Sequence, residues 1–333
     1  MRVFVMGDGG WGTALACVLA DRGHAVALWS HDVDYAGELA RTHLNRKFLP
    51  GVKILPSVRV TADAGEARQA ELVVVAVPTI YLRTVLSSFV GAICDKAILA
   101  SVVKGVEQGT LKRPSEIVEE HFEGKPTAVV SGPSHAEEVA LGLPTSVVAA
   151  AKDLGVARRV QEAFGTPLLR VYASTDVVGV ELGGALKNVI GVAAGICEGL
   201  GFGHNSLAAL LTRGLAEITR LGVALGARAA TFRGLSGMGD LITTCFSPYG
   251  RNRHVGIEIG KGRKLADVVA EMEMVAEGIH TTRAALALAA KCDVEMPITR
   301  EVAAILFEGK NPRRAVTDLM TRELREEKES FDG

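Results

Sequence analysis

A glycine-rich segment near the start of the chain constrains the fold most strongly. Gly7, Gly9 and Gly12 follow an apolar run over residues 2–6 and precede a stretch with an apolar face. A strand, a tight glycine turn and a helix in this order predict the first β-α unit of a parallel sheet. The amides at such a helix N-terminus attract anions, and the spacing of the glycines predicts a site for a dinucleotide pyrophosphate.

The second residue of this loop, Asp8, places an anion where another anion should bind. Its carboxylate has two alternative roles. It repels the pyrophosphate and weakens cofactor binding, or it turns away and caps the start of the following helix, where negative charge is favourable. We expect the second role.

The rest of the 333-residue chain shows two different patterns of apolar residues, one in each half. Short apolar runs alternate with helix-like segments up to about residue 174, and several runs are apolar on both faces, as in a doubly wound parallel sheet. Helical spacing dominates afterwards. We therefore predict an α/β fold: a Rossmann-type domain over residues 1–174 and an all-helical domain over 175–333.

The predicted strands are 3–6, 25–29, 72–77, 97–103, 127–131 and 146–150, with 168–172 as a candidate last strand. The predicted helices are 178–199, 206–225, 265–274, 281–290 and 298–307.

Composition excludes several classes of function. The net charge of −1 offers no electrostatic footprint for nucleic acid. Five scattered cysteines without a C-x-x-C pair fit reduced thiols and no metal site. The apolar stretches are interrupted by glycine or charge, so we expect no membrane insertion and a cytoplasmic location. The charged tail over residues 321–332 is interpreted as a solvated helix end.

Residues at the predicted carboxyl edge of the sheet bear on the cofactor. The second strand is followed by Ser30, His31 and Asp32, so neutral or cationic groups precede the carboxylate. This order favours NADP, or both NADP and NAD. Pro78 and Lys104 follow later strands and point to ligand contacts at that edge. A surface histidine, a strand-terminating proline and a surface lysine are the alternative readings.

Three groups in the helical half suggest the chemistry. Lys187 has small apolar neighbours along its helix, and desolvation there would lower its pKa. Asp240 follows a flexible glycine loop, and a basic, loop-borne cluster holds Arg251 and Asn252, which suit phosphate. A snorkelling lysine and a solvated turn are the alternatives. Together the three groups suggest reduction of a phosphorylated ketone.

Ordered blocks along the whole chain resemble the bacterial-type NAD(P)-dependent glycerol-3-phosphate dehydrogenases. The resemblance implies dihydroxyacetone phosphate and sn-glycerol 3-phosphate as substrates, a supply of glycerophospholipid precursors, and a homodimer. The matching blocks are 7–16, 74–78, 101–105, 131–136, 180–191, 211–217, 234–241, 251–253, 275–278 and 295–299.

The same resemblance implies site roles. Lys187 matches the family's proton donor and acceptor, Lys104 a residue on both cofactor and substrate, and Asp240 a carboxylate that binds substrate and orients Lys187. With the motifs above, the expected cofactor-binding residues are Gly7, Gly9, Gly10, Trp11, Gly12, His31, Pro78, Lys104, Ala136, Arg251, Val275 and Glu277. The expected substrate-binding residues are Lys104, Gly132, Ser134, Lys187, Asp240, Gly250, Arg251 and Asn252.

Some positions depart from the family pattern. Gly10 and Gly250 stand where a polar side chain is common, so a contact to the ligand is missing at each. His204 and Leu207 stand where Asp and Lys are common. Two alternative functions remain: a 6-phosphogluconate or β-hydroxyacid-type dehydrogenase, and a non-catalytic module that senses NAD(P)H.

Overall fold

The chain divides into two compact units. The computed structural model describes residues 1–324 and 326–327. Unit 1 comprises residues 1–104 and 112–177, and unit 2 comprises residues 105–111 and the chain from 178 onward. The sequence-based boundary near 174 assigned 105–111 to the first domain, whereas Val106 and Leu111 contribute to the apolar core of unit 2.

Unit 1 is built on an eight-stranded sheet with the order β3-β2-β1-β4-β5-β6-β7-β8. Neighbouring strands are parallel except β6 and β7. In register, Met6 of β1 lies opposite Trp29 of β2 and Val75 of β4. The strand order therefore changes direction at β1, where open α/β sheets bind ligands. The strands are β1 Arg2–Met6, β2 Ala25–Trp29, β3 Val58–Thr61, β4 Leu72–Val75, β5 Ile98–Ser101, β6 Thr127–Ser131, β7 Thr145–Ala150 and β8 Leu169–Ser174.

Helices cover both faces of this sheet, which explains its continuous apolar strands. The four residues of β4 are all buried, and two separate apolar clusters lie on the two faces. The helices of unit 1 are α1 Gly10–Asp21, α2 Val33–Thr42, α3 Thr79–Ser88, α4 Pro114–His121, α5 Ala136–Ala140 and α6 Leu154–Phe164, with a 3₁₀ helix over Ala64–Gln69.

Every secondary-structure element in the described part of unit 2 is helical, so the predicted fold class is confirmed. The helices are α7 Val177–Gly199, α8 His204–Ala224, α9 Ala229–Phe232, α10 Asp240–Phe246, α11 Arg251–Gly260, α12 Leu265–Ala270, α13 Glu277–Lys291, α14 Pro297–Glu308 and α15 Pro312–Met320, with a π-helical turn over Leu235–Gly239.

Two predicted loops of unit 2 are helical. The segment before Asp240 is the π-helical turn, and Ser236 and Gly237 within it are buried rather than flexible. Arg251 and Asn252 open α11 instead of lying on a loop. The expectation of loops was wrong because residues of low helix propensity, the glycines of the turn and Asn252 and Gly256 of α11, are held here by tertiary packing.

Helix α7 corrects the expectation about apolar stretches. It is long and apolar enough to cross a membrane by length and composition alone, and 89% of its most apolar stretch is buried inside the protein. The expectation that every apolar stretch is too interrupted for such a span was wrong, because glycine lowers the hydropathy of an apolar helix far less than a charged residue does and this helix holds only three charged residues. Burial of this extent is what the core helix of a globular unit shows.

The charged tail is only partly described. Helix α15 ends at Met320, and residues 321–324 and 326–327 lie outside any helix. The interpretation of this stretch as a helix end is therefore wrong where it is described, and its remaining residues lie outside the described part of the chain.

Candidate active site

The glycine loop joins β1 to α1 at the carboxyl end of the sheet. Gly7 has a φ of +115°, and a Cβ on Gly12 would lie 2.0 Å from the carbonyl oxygen of Gly7, so both positions require glycine. No atom lies within 4 Å of the place where a Cβ on Gly9 would stand. The backbone there is open to an incoming phosphate, as a dinucleotide site needs.

Trp11 and Gly10 of the same loop differ in what they offer a bound dinucleotide. The indole Nε1 of Trp11 is buried without a hydrogen-bond partner among the described residues, so a ligand acceptor would satisfy it. A Cβ on Gly10 would lie 2.5 Å from the carbonyl oxygen of Phe48 and 3.6 Å from the Cβ of Ala136. A side chain at position 10 would therefore meet the chain's own backbone.

Asp8 does not cap helix α1. The N-cap residue is Gly9, and no side chain caps this helix. The Asp8 side chain is buried and bonds to the hydroxyl of Ser30, while its backbone carbonyl accepts hydrogen bonds from Thr13 and Asn45. The capping expectation was wrong because the carboxyl turns toward the end of β2.

Lys104 lies in a cluster of polar groups beyond β5 and β6. Its Nζ donates to the carbonyl oxygen of Gly132 at 2.9 Å and to the hydroxyl of Ser134 at 3.3 Å. The Ser134 hydroxyl also donates to Gly132 at 2.8 Å. The structure thus brings together three residues that the sequence placed on one substrate-binding edge.

The other cofactor candidates of unit 1 border the same edge. His31 is exposed two residues after the end of β2, and Pro78 is the N-cap residue of α3. Ala136 is the first residue of α5. These positions follow strand ends, where open α/β sheets bind nucleotides.

In unit 2, Lys187 forms a buried cluster with two residues of α10. Its Nζ lies 2.5 Å from Asp240 Oδ1 and 2.5 Å from Thr244 Oγ1. Lys187 is 6% exposed and Asp240 is 1% exposed. Two opposing effects act on this ammonium, since burial disfavours its charge and the adjacent carboxylate favours it. The lysine is therefore held at a fixed point by a charged and a neutral acceptor.

Thr244 was not assigned a role from the sequence. It stands four residues after Asp240, so both side chains lie on one face of α10. That spacing is the signal that would have identified it. Neighbouring Cys245 is an unreactive thiol. Burial raises its pKa to about 12, although the nearby charges of Lys187 and Arg253 lower it, and this disfavours the reactive thiolate.

The residues predicted to bind phosphate lie at the start of α11. Asn252 donates to Asn188 at 2.9 Å and accepts from the backbone amide of Gly278 at 2.9 Å. Arg251 is exposed, and its Nη1 donates to the carbonyl oxygen of Val275 at 3.2 Å. A Cβ on Gly250 would lie 3.1 Å from the carbonyl oxygen of Thr244, which leaves little room for a larger residue.

The remaining candidate residues of unit 2 lie next to these contacts. Asn252 connects α7, α11 and α13, and Glu277 is the first residue of α13. Val275 lies just before that helix and holds the Arg251 guanidinium. Asn188, which the sequence did not assign to the site, fixes the amide orientation of Asn252; its position next to Lys187 is the only sequence signal for it.

The fold and the site define a class. A doubly wound sheet with an open glycine loop at its switch point, in a chain with a helical unit that buries a lysine–aspartate pair, is typical of two-domain dinucleotide-dependent dehydrogenases. Comparison with known proteins makes this specific.

Two family models match the chain. The model for the NAD-dependent glycerol-3-phosphate dehydrogenase N-terminus covers residues 2–157, and the model for the C-terminus covers residues 176–317. The chain belongs to the NAD-dependent glycerol-3-phosphate dehydrogenase family.

Individual relatives agree over nearly the full length. The chain is 50% identical to glycerol-3-phosphate dehydrogenase [NAD(P)+] of Prosthecochloris aestuarii, over 97% of this chain and 98% of the relative. It is also 50% identical to the same enzyme of Citrifermentans bemidjiense, over 98% of each. The crystal structure of glycerol-3-phosphate dehydrogenase from Coxiella burnetii is 35% identical, with a TM-score of 0.92 over 96% of this chain and 99% of that one.

Proposed function

We propose that the chain catalyses the reversible reduction of dihydroxyacetone phosphate to sn-glycerol 3-phosphate, with NADH or NADPH as the reductant. Family membership over both halves of the chain supports the reaction and the cofactor. The structural observation that carries the proposal is the buried contact of Lys187 with Asp240 and Thr244. It supplies one fixed acid–base group.

Lys187 carries the proton in this proposal. The reduced nicotinamide, when bound, supplies a hydride to the ketone carbon. The Lys187 ammonium gives one proton from Nζ to the ketone oxygen, so the C=O bond becomes a CH–OH group. Asp240 and Thr244 hold Nζ in place, and in the oxidative direction Lys187 takes the proton back. A positioned acid–base group contributes about 100- to 10,000-fold in rate.

The substrate phosphate is assigned to the start of α11. Arg251 offers a planar guanidinium that matches phosphate, and the second Nδ2 hydrogen of Asn252 adds a neutral donor. Gly250 contributes its backbone. In unit 1, Lys104 polarises the substrate oxygens, with Gly132 and Ser134 fixing its ammonium.

The cofactor is assigned to the glycine loop and the edge residues of unit 1. The backbone of Gly7, Gly9, Gly10 and Gly12 accommodates the pyrophosphate, and Trp11 gives its free Nε1–H. His31, Pro78 and Ala136 border the nucleoside. From unit 2, we assign Arg251, Val275 and Glu277 to the same ligand on the family pattern alone.

The cellular setting follows from the same resemblance. sn-Glycerol 3-phosphate is a precursor for glycerophospholipids, which gives the enzyme a place in lipid synthesis. We assign it to the cytoplasm, as a homodimer, with a small-molecule substrate and no nucleic-acid partner.

A substrate comparison tests the function. Purified protein should oxidise NADH or NADPH with dihydroxyacetone phosphate and be nearly silent with dihydroxyacetone, which lacks the phosphate. Arg251→Ala should raise the KM for dihydroxyacetone phosphate about 10- to 100-fold, because a hydrogen-bonded charge pair contributes about 1.5–3 kcal/mol. Arg300→Ala, on the exposed side of α14, is the control and should leave KM unchanged. Wild-type protein without phosphate-dependent turnover would refute the function, and an unchanged KM in Arg251→Ala would remove that residue from the site.

A further inference from the structure

The end of β2 is where a dinucleotide domain usually places the carboxylate that binds the adenosine ribose. Asp32 is the first acidic residue after this strand, but its side chain is engaged elsewhere. Its Oδ1 accepts hydrogen bonds from the backbone amides of Asp34 and Tyr35, both at 3.0 Å, as the N-cap of α2. Asp32 therefore has one carboxylate oxygen committed to the start of α2.

Asp8 brings a second carboxylate to this place. It is 6% exposed, and its carboxyl hydrogen-bonds to the hydroxyl of Ser30, the first residue after β2. The backbone holds it there, because the Gly7 amide donates to the Trp29 carbonyl oxygen at 3.1 Å. A carboxyl group from the glycine loop thus occupies the end of β2.

The Asp8 main chain is fixed as firmly as its side chain. Its carbonyl oxygen accepts from Asn45 Nδ2 at 2.7 Å and from Thr13 Oγ1 at 3.1 Å. Asn45 also donates to Thr13 at 2.7 Å, which closes a buried network around the loop. A carboxylate accepts more hydrogen bonds than the Ser30 hydroxyl and the Asp8 amide supply, so Asp8 retains acceptor capacity for a ligand.

We propose that Asp8 is the specificity-determining residue for the cofactor: its carboxylate accepts a hydrogen bond from the ribose 2′-hydroxyl and weakens binding of a 2′-phosphate. The inference rests on the proposed dinucleotide cofactor and adds to it a bias toward NAD(H) within a site that uses both cofactors. Its basis is the placement of Asp8 and the engagement of Asp32.

Charge at this position depends on the surroundings of Asp8. Burial raises the pKa of its carboxyl, whereas the Ser30 hydrogen bond and the charge of His31 lower it and the charge of Asp32 raises it further. The side chains that hold its backbone, Thr13 and Asn45, are neutral. The bias toward NAD(H) should therefore strengthen as pH rises and the carboxyl ionises.

Calorimetric binding tests the proposal without any turnover. The ratio of the Kd for NADPH to that for NADH is measured at about pH 8 in wild-type protein and in Asp8→Asn, because a higher pH favours the charged form of the carboxyl. Asn keeps the size and the acceptor oxygen but removes the charge. The ratio should fall about tenfold, mainly through tighter NADPH binding, as expected from removing a like charge near a phosphate. Adenosine 2′,5′-bisphosphate and AMP, used as adenosine-half probes, should show the same change.

Asp32→Asn is the matched control, since it removes one negative charge from the same strand end and Asn still caps a helix. It should change the ratio by less than threefold. An unchanged ratio in Asp8→Asn, or a larger change in Asp32→Asn, overturns the proposal. The binding ratio does not depend on turnover. Wild-type protein that binds both cofactors without dehydrogenase activity would therefore refute the proposed function and leave the proposal for Asp8 to be judged by the ratio alone.

Discussion

At the scale of single residues, the contacts of buried charged side chains are the feature that is hardest to predict from the sequence. Lys187 was identified by its apolar neighbours along the helix, and the contact with Asp240 agrees with the orienting role that the resemblance implied. The position of Asp8 was mistaken, because a sequence shows which charges are present but not which strand end a side chain reaches. Asn45, which holds the glycine loop, lies 37 residues away from Asp8 and has no sequence signal.

Glu217 is a second acidic residue whose burial no sequence pattern predicted. It is 1% exposed in α8 and accepts hydrogen bonds from the backbone amides of Ile298 and Thr299 and from the Thr299 hydroxyl. It therefore satisfies the free amides at the start of α14. Burial raises the pKa of its carboxyl to about 7, against the lowering effects of these hydrogen bonds and of Arg220.

A pH-dependent stability follows from Glu217. Because its pKa is raised in the folded state, the stabilisation is present below the ordinary value of 4.5 and is lost as pH rises through about 7. Between about pH 5 and pH 8 the free energy of unfolding of wild-type protein should fall by about 2–3 kcal/mol relative to Glu217→Gln. Urea unfolding at several pH values measures this difference. The exposed Glu308→Gln is the control, and parallel curves for wild type and Glu217→Gln would contradict the prediction.

At the scale of elements, the close approach of α7 and α11 explains several glycines of these two helices. A Cβ on Gly195 would lie 2.0 Å from the carbonyl oxygen of Arg253, and one on Gly256 would lie 2.1 Å from that of Val192. This contact holds Asn252 beside Asn188. It also explains why α11 was missed from sequence: the helix depends on packing against α7 rather than on its own propensity.

Gly195→Ala tests that packing. The new methyl group meets backbone that cannot move freely, so the free energy of unfolding should fall by about 3 kcal/mol or more, at the upper end for overpacking. The control is Gly37→Ala in α2, where no atom lies within 4 Å of the added Cβ. That variant should gain about 1 kcal/mol, because alanine favours helix over glycine. Equal stability of the two variants in chemical unfolding would contradict the close-packing account.

At the scale of the whole molecule, the continuous apolar strands and the change to helical spacing made the fold class predictable. The strand β3 was missed because its sequence, Val-Arg-Val-Thr, is short and only partly buried at the edge of the sheet. The residues 105–111 were placed in the wrong compact unit because a chain crossing between units leaves no periodicity. The resemblance assigned the candidate site residue by residue, and these assignments stay predictions, whereas Thr244 and Asn188 became candidates only through the three-dimensional contacts.

The central claim is that Lys187 is the proton donor of a dihydroxyacetone phosphate reductase, and its substitution tests that claim most directly. Lys187→Arg keeps a cation beside Asp240 but cannot release a proton, and Lys187→Met removes the charge. Both variants, checked for folding by circular dichroism, should lose about 100- to 10,000-fold in kcat for NADH or NADPH oxidation. The exposed Lys291→Met, at the end of α13, should match wild type. Folded Lys187→Arg or Lys187→Met protein with kcat within about threefold of wild type, far short of what a positioned acid contributes, would contradict the account.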